Sequence, residues 1–307
     1  MPYHGWRIAA LVVLAVTAVG WLLRRDASGY IGGAAWLLLL FLPAIGLRKV
    51  SQLAAQADYQ SAERLGAALQ ILHPTAELRQ HVRLFRHLKS NAPQPHALSS
   101  VPADDIASSS RRSQFRSTPA VVVLILVNVL VFLFEISVGD WNDPEVLYRI
   151  GALEPSAVVE QGEYWRLFTA LFLHGGFLHL AFNLFALYVL GPPLERSIGT
   201  MRFLACYLIS GLASSAGVVA LNELGLVRVA EVIGASGCIM GVVGAWAGFL
   251  LRHRHAPSAK QRLANIGLIV VIQIAFDLTT PQVSMASHMC GLVAGFFLGL
   301  ILATPTA

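Results

Sequence analysis

The chain has 307 residues, 56% of them hydrophobic and only 13% charged, with a mean hydropathy of +0.63. A soluble protein carries about a quarter charged residues, so this composition excludes an ordinary soluble globule and points to helices that span a bilayer. The net charge of +5 is not gathered into a basic stripe interleaved with aromatics, so no nucleic-acid partner is expected. Charge near helix ends fits the positive-inside rule instead. Cys206, Cys238 and Cys290 all fall in apolar segments and read as buried small hydrophobes rather than a disulfide framework.

Two apolar runs come first, Ile8–Leu23 and Ile31–Leu47. Arg7 precedes the first, but the run ends in Arg24-Arg25-Asp26 without a small-residue cleavage site, so a retained anchor is expected rather than a secretory signal. Trp6, Trp21 and Trp36 are candidate interfacial or packing residues. The polar interval that follows reads as helical in its first half. From Asn91 to Ser117 it is rich in Pro, Ser and Ala and reads as a linker. Ala57-Asp58-Tyr59, Ala62 and Pro74 resemble the latter part of one tetratricopeptide unit. Such units need neighbours to bury their apolar faces, so an amphipathic helical hairpin is the reading.

Six further spans are expected: Pro119–Val138, Leu167–Leu190, Phe203–Leu221, Val232–Leu251, Leu263–Leu278 and Ala286–Ala303. Pro192-Pro193 should interrupt or kink the end of the second of these. The basic stretches Arg111-Arg112…Arg116 and Arg252-His253-Arg254-His255…Lys260-Gln261-Arg262 should face the cytoplasm, and counting crossings puts both on that side. The loops Gly139–Arg166 and Asn222–Glu231 then face outward. On this count Arg24 and Arg25 fall outside, against the same rule.

Ionisable and polar groups inside a membrane are expensive, so each is a functional candidate. His174, His179 and Asn183 fall in the second core segment, Ser236 at the start of the fourth and His288 at the start of the sixth. Singly, each has an ordinary role in helix packing. Depth links two of them. Ser236 lies 15 steps before Leu251 and His288 lies 16 before Thr304, about 22 and 24 Å at 1.5 Å per residue. A serine and a histidine at one level is what proton transfer to a base requires.

Direction adds to depth. His288, Gly291, Gly295 and Gly299 share one face, and Gly234, Gly237, Gly241, Gly244 and Gly248 form a second small-residue series. Two such ridges let helix backbones approach closely. Ser236 lies off its ridge on an ideal helix, but Gly234 and Gly237 permit a non-helical backbone around it. His179 and Asn183, four apart, share a helical face. With a backbone N–H near Ser236 they could hold a developing negative charge.

The motifs Gly234-Ala235-Ser236-Gly237, Ser287-His288…Gly291…Gly295, His174…His179…Asn183, Trp165-Arg166 and Glu195-Arg196 occur in the order of a known family. The chain from about Thr118 to Ala303 resembles the rhomboid intramembrane serine proteases. The resemblance implies an all-α polytopic bundle with a six-helix core and a Ser236–His288 dyad without a catalytic aspartate. It also implies an oxyanion hole from His179, Asn183 and the Gly234–Ser236 region. Trp165 and Arg166 would shape the external loop, and His174 would support the site structurally. Met240 stands one turn after Ser236, where an aromatic commonly packs beside the histidine.

The expected organisation is an N-terminal transmembrane pair (1–47), a cytoplasmic helical segment and linker (48–117) and a protease core (118–307). Expected partners are the lipid bilayer and membrane-protein substrates with a helix-destabilised transmembrane segment, and the expected location is the cell membrane. No metal or cofactor is expected: no His-Glu-x-x-His motif occurs. Asp277 is the lone aspartate in a core segment, which leaves no aspartyl pair. A transporter would show inverted repeats, and none is evident. The remaining alternative is a catalytically silent rhomboid-like binder of membrane helices, although such proteins typically lack the serine or the histidine.

Overall fold

The computed structural model describes residues 42–72, 74–90, 118–141, 143–280 and 284–302, with a few isolated positions before 42. The two N-terminal runs except for the end of the second, the three tryptophans at 6, 21 and 36, the arginine pairs at 24–25 and 111–112, and the linker lie outside these residues. The chain divides into two compact units, Met1–Gln114 with Val271–Pro281 and Phe115–Val270 with Gln282–Ala307.

In the first unit, α1 (Leu42–Ala55), α2 (Tyr59–Leu72) and α3 (Ala76–Ser90) follow one another closely. α1 continues past position 47, where the apolar run of the sequence ends. Asp58 accepts from the Ser61 amide at 3.1 Å and Thr75 from the Leu78 amide at 3.2 Å, satisfying free donors at the starts of α2 and α3. Val50, Ala62, Leu69, Leu78, Val82 and Phe85 form the shared core. Arg86 pairs with Glu63 across α2 and α3 at 2.8 Å. The expected amphipathic hairpin is thus α2 and α3.

The second unit carries α4 (Pro119–Val138), the short loop helices α5 (Pro144–Ile150), α6 (Pro155–Val159) and α7 (Arg166–Thr169), then α8 (Phe177–Ile198), α9 (Thr200–Glu223), α10 (Ser236–Arg252), α11 (Ala259–Thr279, whose last turns belong to the first unit) and α12 (Met285–Leu302). Among the described residues, five helices (α4, α8, α9, α11 and α12) are long and apolar enough to cross a membrane. α10 is apolar but shorter, with 17 residues. It packs against α8, α9 and α12 and buries most of its positions, so protein rather than lipid surrounds it. The chain is therefore an all-α, polytopic membrane helix bundle.

Two sequence expectations need correction. The second core helix starts at Phe177, not near Leu167, because Gly176 adopts φ +113° and only the short α7 precedes it. His174 consequently sits in a connection and not on a helix. The Pro192-Pro193 pair does not end α8, which runs through both to Ile198. Beyond them, buried Glu195 accepts hydrogen bonds from the Ala120 and Val121 amides, both at 3.0 Å, and from Thr200 Oγ1 at 2.9 Å. Pro119 at the start of α4 has no N–H to satisfy, and the carboxylate takes the next two donors. Glu195 and Arg196 lie on α8 rather than in a turn beyond it, and Glu195 thus contributes a cap supplied by another helix.

Candidate active site

Ser236 is the first residue of α10 and is partly exposed. Its position is set from the loop before it. Leu153 and Val232 form an isolated antiparallel bridge with N–H···O distances of 3.0 and 2.9 Å. Two residues on, the Gly234 amide donates to the Ala170 carbonyl at 2.8 Å. Gly234 then takes φ +119°, a value open to glycine and strained for other residues. Ala235 at the N-cap supplies no side-chain bond, so the first-turn amides of α10, and the positive end of its dipole, are not capped by that side chain.

The Arg166 guanidinium organises the neighbouring loop. Arg166 is buried, donates to the Tyr148 and Ala152 carbonyls at 2.6 and 2.9 Å and also bonds Glu163. It stacks over the Tyr148 and Trp165 rings, 3.9 and 4.6 Å from their centroids. Trp165 itself is 47% exposed. The pair shapes the loop and presents no group toward Ser236 through these contacts.

His288 is buried in the first turns of α12, whose start Ser284 caps by accepting from the Ser287 amide at 3.3 Å. The two glycine series meet face to face. A side chain on Gly291 would strike the Gly237 carbonyl, one on Gly295 the Gly241 carbonyl and one on Gly299 the Ala245 carbonyl. Gly237 also lies against Ser287, since a Cβ there would stand 3.1 Å from the Ser287 Oγ. The neighbours of Ser236 and His288 are therefore in direct contact. Met240 is buried with Val243 and Ile266, and Met289 packs on that cluster. It fills its place with a flexible thioether rather than an aromatic face.

His179 and Asn183 on α8 approach the same loop. A Cβ on Gly234 would lie 2.7 Å from His179 Nε2 and 3.6 Å from Asn183 Nδ2. Asn183 is 6% exposed, and its Nδ2 has no hydrogen-bond partner within the protein. His174 stacks edge-on to His179 with ring centroids 5.2 Å apart. It is fully buried, bonds the Phe172 carbonyl through Nδ1 at 2.9 Å, and its amide donates to both Glu135 oxygens at 3.0 and 3.1 Å. It thus supports His179 from behind.

Sequence reasoning missed Glu135 and Ser214. Glu135 is a carboxylate within an apolar span, and its cost in a membrane was the available signal. Ser214, on α9, donates to the Ser287 carbonyl at 2.7 Å and lies 2.8 Å from the Ser287 hydroxyl. A serine in a small-residue helix gives no such signal.

The rhomboid domain family model matches residues 161–305. The chain is 36% identical to the rhomboid protease GluP of Bacillus subtilis (strain 168) over 183 residues, 58% of this chain and 34% of that one. It is 40% identical to RHOMBOID-like protein 5 of Arabidopsis thaliana over 157 residues, 51% and 49% of the two chains. With the rhomboid relative YdcA of Bacillus subtilis (strain 168) it shares 30% identity over 190 residues, 61% of this chain and 89% of YdcA. The chain belongs to the rhomboid family. The match spans about a third of GluP and half of RHOMBOID-like protein 5. All the candidate residues fall inside the span matched by the rhomboid domain, and the helices described above give this rhomboid a multi-pass membrane fold.

Proposed function

We propose that this rhomboid is an intramembrane serine endopeptidase that cuts transmembrane segments of other membrane proteins through a Ser236–His288 dyad. The observation that carries the reading is the contact of Gly237 with Ser287 and Gly291. It brings together the residues beside the proposed nucleophile and the proposed base. Ser236 Oγ attacks the peptide carbonyl while His288 accepts its proton, then returns that proton to the leaving amine. Water attacks the acyl-enzyme by the same route. His179, Asn183 and the first amides of α10 hold the oxyanion. The buried, unpartnered Asn183 side-chain nitrogen beside Gly234 supports that role, as does the start of α10, which receives no cap from the Ala235 side chain.

A peptide bond in an intact helix is shielded by its own hydrogen bonds, so the scissile region must unwind. Helix-breaking residues in the substrate should favour cleavage. The site lies at the end of α10 opposite the basic stretch Arg252–Arg262, which the positive-inside rule assigns to the cytoplasm, so it opens to the outer side of the cell membrane. Residues 118–307 form the catalytic core in this reading. The test is cleavage of a panel of transmembrane peptides by the purified protein in detergent. Products from the parent protein and none from Ser236→Ala are expected. Equal cleavage by Ser236→Ala overturns the serine mechanism, and cleavage by neither leaves helix binding without catalysis as the function.

A further inference from the structure

We infer that Ser214 is a positioning residue for His288, a role that rests on the catalytic reading above and adds a third helix to the site. Ser214 is 1% exposed and stands where α9, α10 and α12 meet. Its hydroxyl donates to the Ser287 carbonyl at 2.7 Å. That carbonyl belongs to the peptide unit whose other end is the His288 N–H, so the bond fixes the plane from which the His288 side chain departs. The Ser287 hydroxyl lies 2.8 Å from Ser214 Oγ. A hydroxyl has one proton, and Ser214 commits its own to the carbonyl. Ser287 must therefore be the donor of the second bond.

The same side chain touches the nucleophile's helix. A Cβ on Gly237 would strike Ser214, so Ser214 is in contact with the residue that follows Ser236 while bonding the residue that precedes His288. Ordinary helix packing needs neither hydroxyl. Ser210, one turn earlier on α9, is also buried and packs on Gly241, and its Oγ has no hydrogen-bond partner. Position 214 differs in that both its proton and its lone pair are used on the base-bearing turn. The two bonds hold the start of α12 in azimuth, which glycine-on-glycine contact alone leaves free to slide.

The experiment compares full-length Ser214→Ala, Ser287→Ala and Ser210→Ala in detergent, with Ser236→Ala as the blank. Ser214→Ala removes both bonds and is expected to lower kcat about 10-fold with KM nearly unchanged, part of the roughly hundredfold that a 1 Å misplacement can cost. Ser287→Ala keeps the carbonyl bond and should fall between Ser214→Ala and Ser210→Ala, which should match the parent. Hydrogen exchange at 285–289 should quicken most in Ser214→Ala, less in Ser287→Ala and not in Ser210→Ala, with the thermal midpoint of Ser214→Ala close to that of Ser210→Ala. A kcat for Ser214→Ala equal to that of Ser210→Ala, or a loss confined to KM, overturns the inference. Cleavage by Ser236→Ala removes the catalytic reading instead. Exchange then decides the clamp by itself, and an unchanged rate at 285–289 overturns it.

Discussion

Gly295→Ala tests the contact that aligns the two halves of the site. Its added Cβ would fall on the Gly241 carbonyl, with the carbon of that group 2.6 Å away and the Gly241 Cα 2.7 Å away. These are backbone atoms, so no rotamer change relieves the clash, and α10 and α12 must part. Ordinary van der Waals contact begins near 3.4 Å, and the carbonyl oxygen lies nearer than its carbon, so the helices must separate by more than the roughly 0.8 Å the carbon alone requires, an overpacking that costs about 1–3 kcal/mol. A shift of that size two turns below His288 should lower kcat by about 10- to 100-fold. Gly267→Ala on α11 is the matched control, because a Cβ there meets nothing within 4 Å and alanine gains about 1 kcal/mol of helix propensity. Thermal unfolding in detergent and steady-state cleavage of one transmembrane peptide measure both effects. Equal midpoints and equal kcat for the two variants would refute close ridge packing as the device that aligns the site.

Asn183→Ala should lower kcat by about 100- to 1000-fold with little change in KM, since its bond strengthens in the transition state; a raised KM with kcat intact would assign Asn183 to docking. Arg166→Lys should cost about 2 kcal/mol in thermal stability, because an ammonium cannot reproduce a planar fork that serves two carbonyls and Glu163, and an unshifted midpoint would contradict this. Glu231 precedes Val232 of the Leu153–Val232 bridge; burial first and then the like charge of Glu154 raise its pKa, against the pull of Arg166. The folded state thus holds a proton that the unfolded state has lost between the ordinary and the raised value, and stability falls as pH rises through that window. Glu231→Gln should therefore unfold at a higher temperature than the parent above the window, with the difference vanishing on acidification below an ordinary glutamate pKa of about 4.3; a gap that widens toward acid would reverse the sign. A protein beginning at Arg112 should still cleave a permissive peptide, and folding without cleavage would give residues 1–111 a share in the working site.

The helices of the core after Thr118 and the ridge pairing were legible because hydropathy marks length and glycine spacing marks a helix face. The start of α8 was not. Leu167–Phe172 is as apolar as a membrane helix, but Leu171 and Phe172 are buried inside the protein, and hydropathy cannot distinguish that interior from lipid. Gly175-Gly176 was the usable signal. His179 and Asn183 share a helical face by their spacing, and both lie beside Gly234. The partners of Glu135 and Glu195 were opaque for another reason: they stand 39 and 75 residues away, and no local pattern reports such a pair. Ser214 bonds a residue 73 positions on, and its serine-rich helix disguises one specific hydroxyl among several packing ones.

The most direct test of the dyad is the site of covalent capture by a fluorophosphonate, read by peptide mass mapping of the full-length protein in detergent. The predicted result is a single adduct on Ser236 that forms in the parent and fails to form in His288→Ala, because the serine is activated only through its base. An adduct that forms equally fast without His288, or capture at another serine in a cleaving enzyme, would contradict the account.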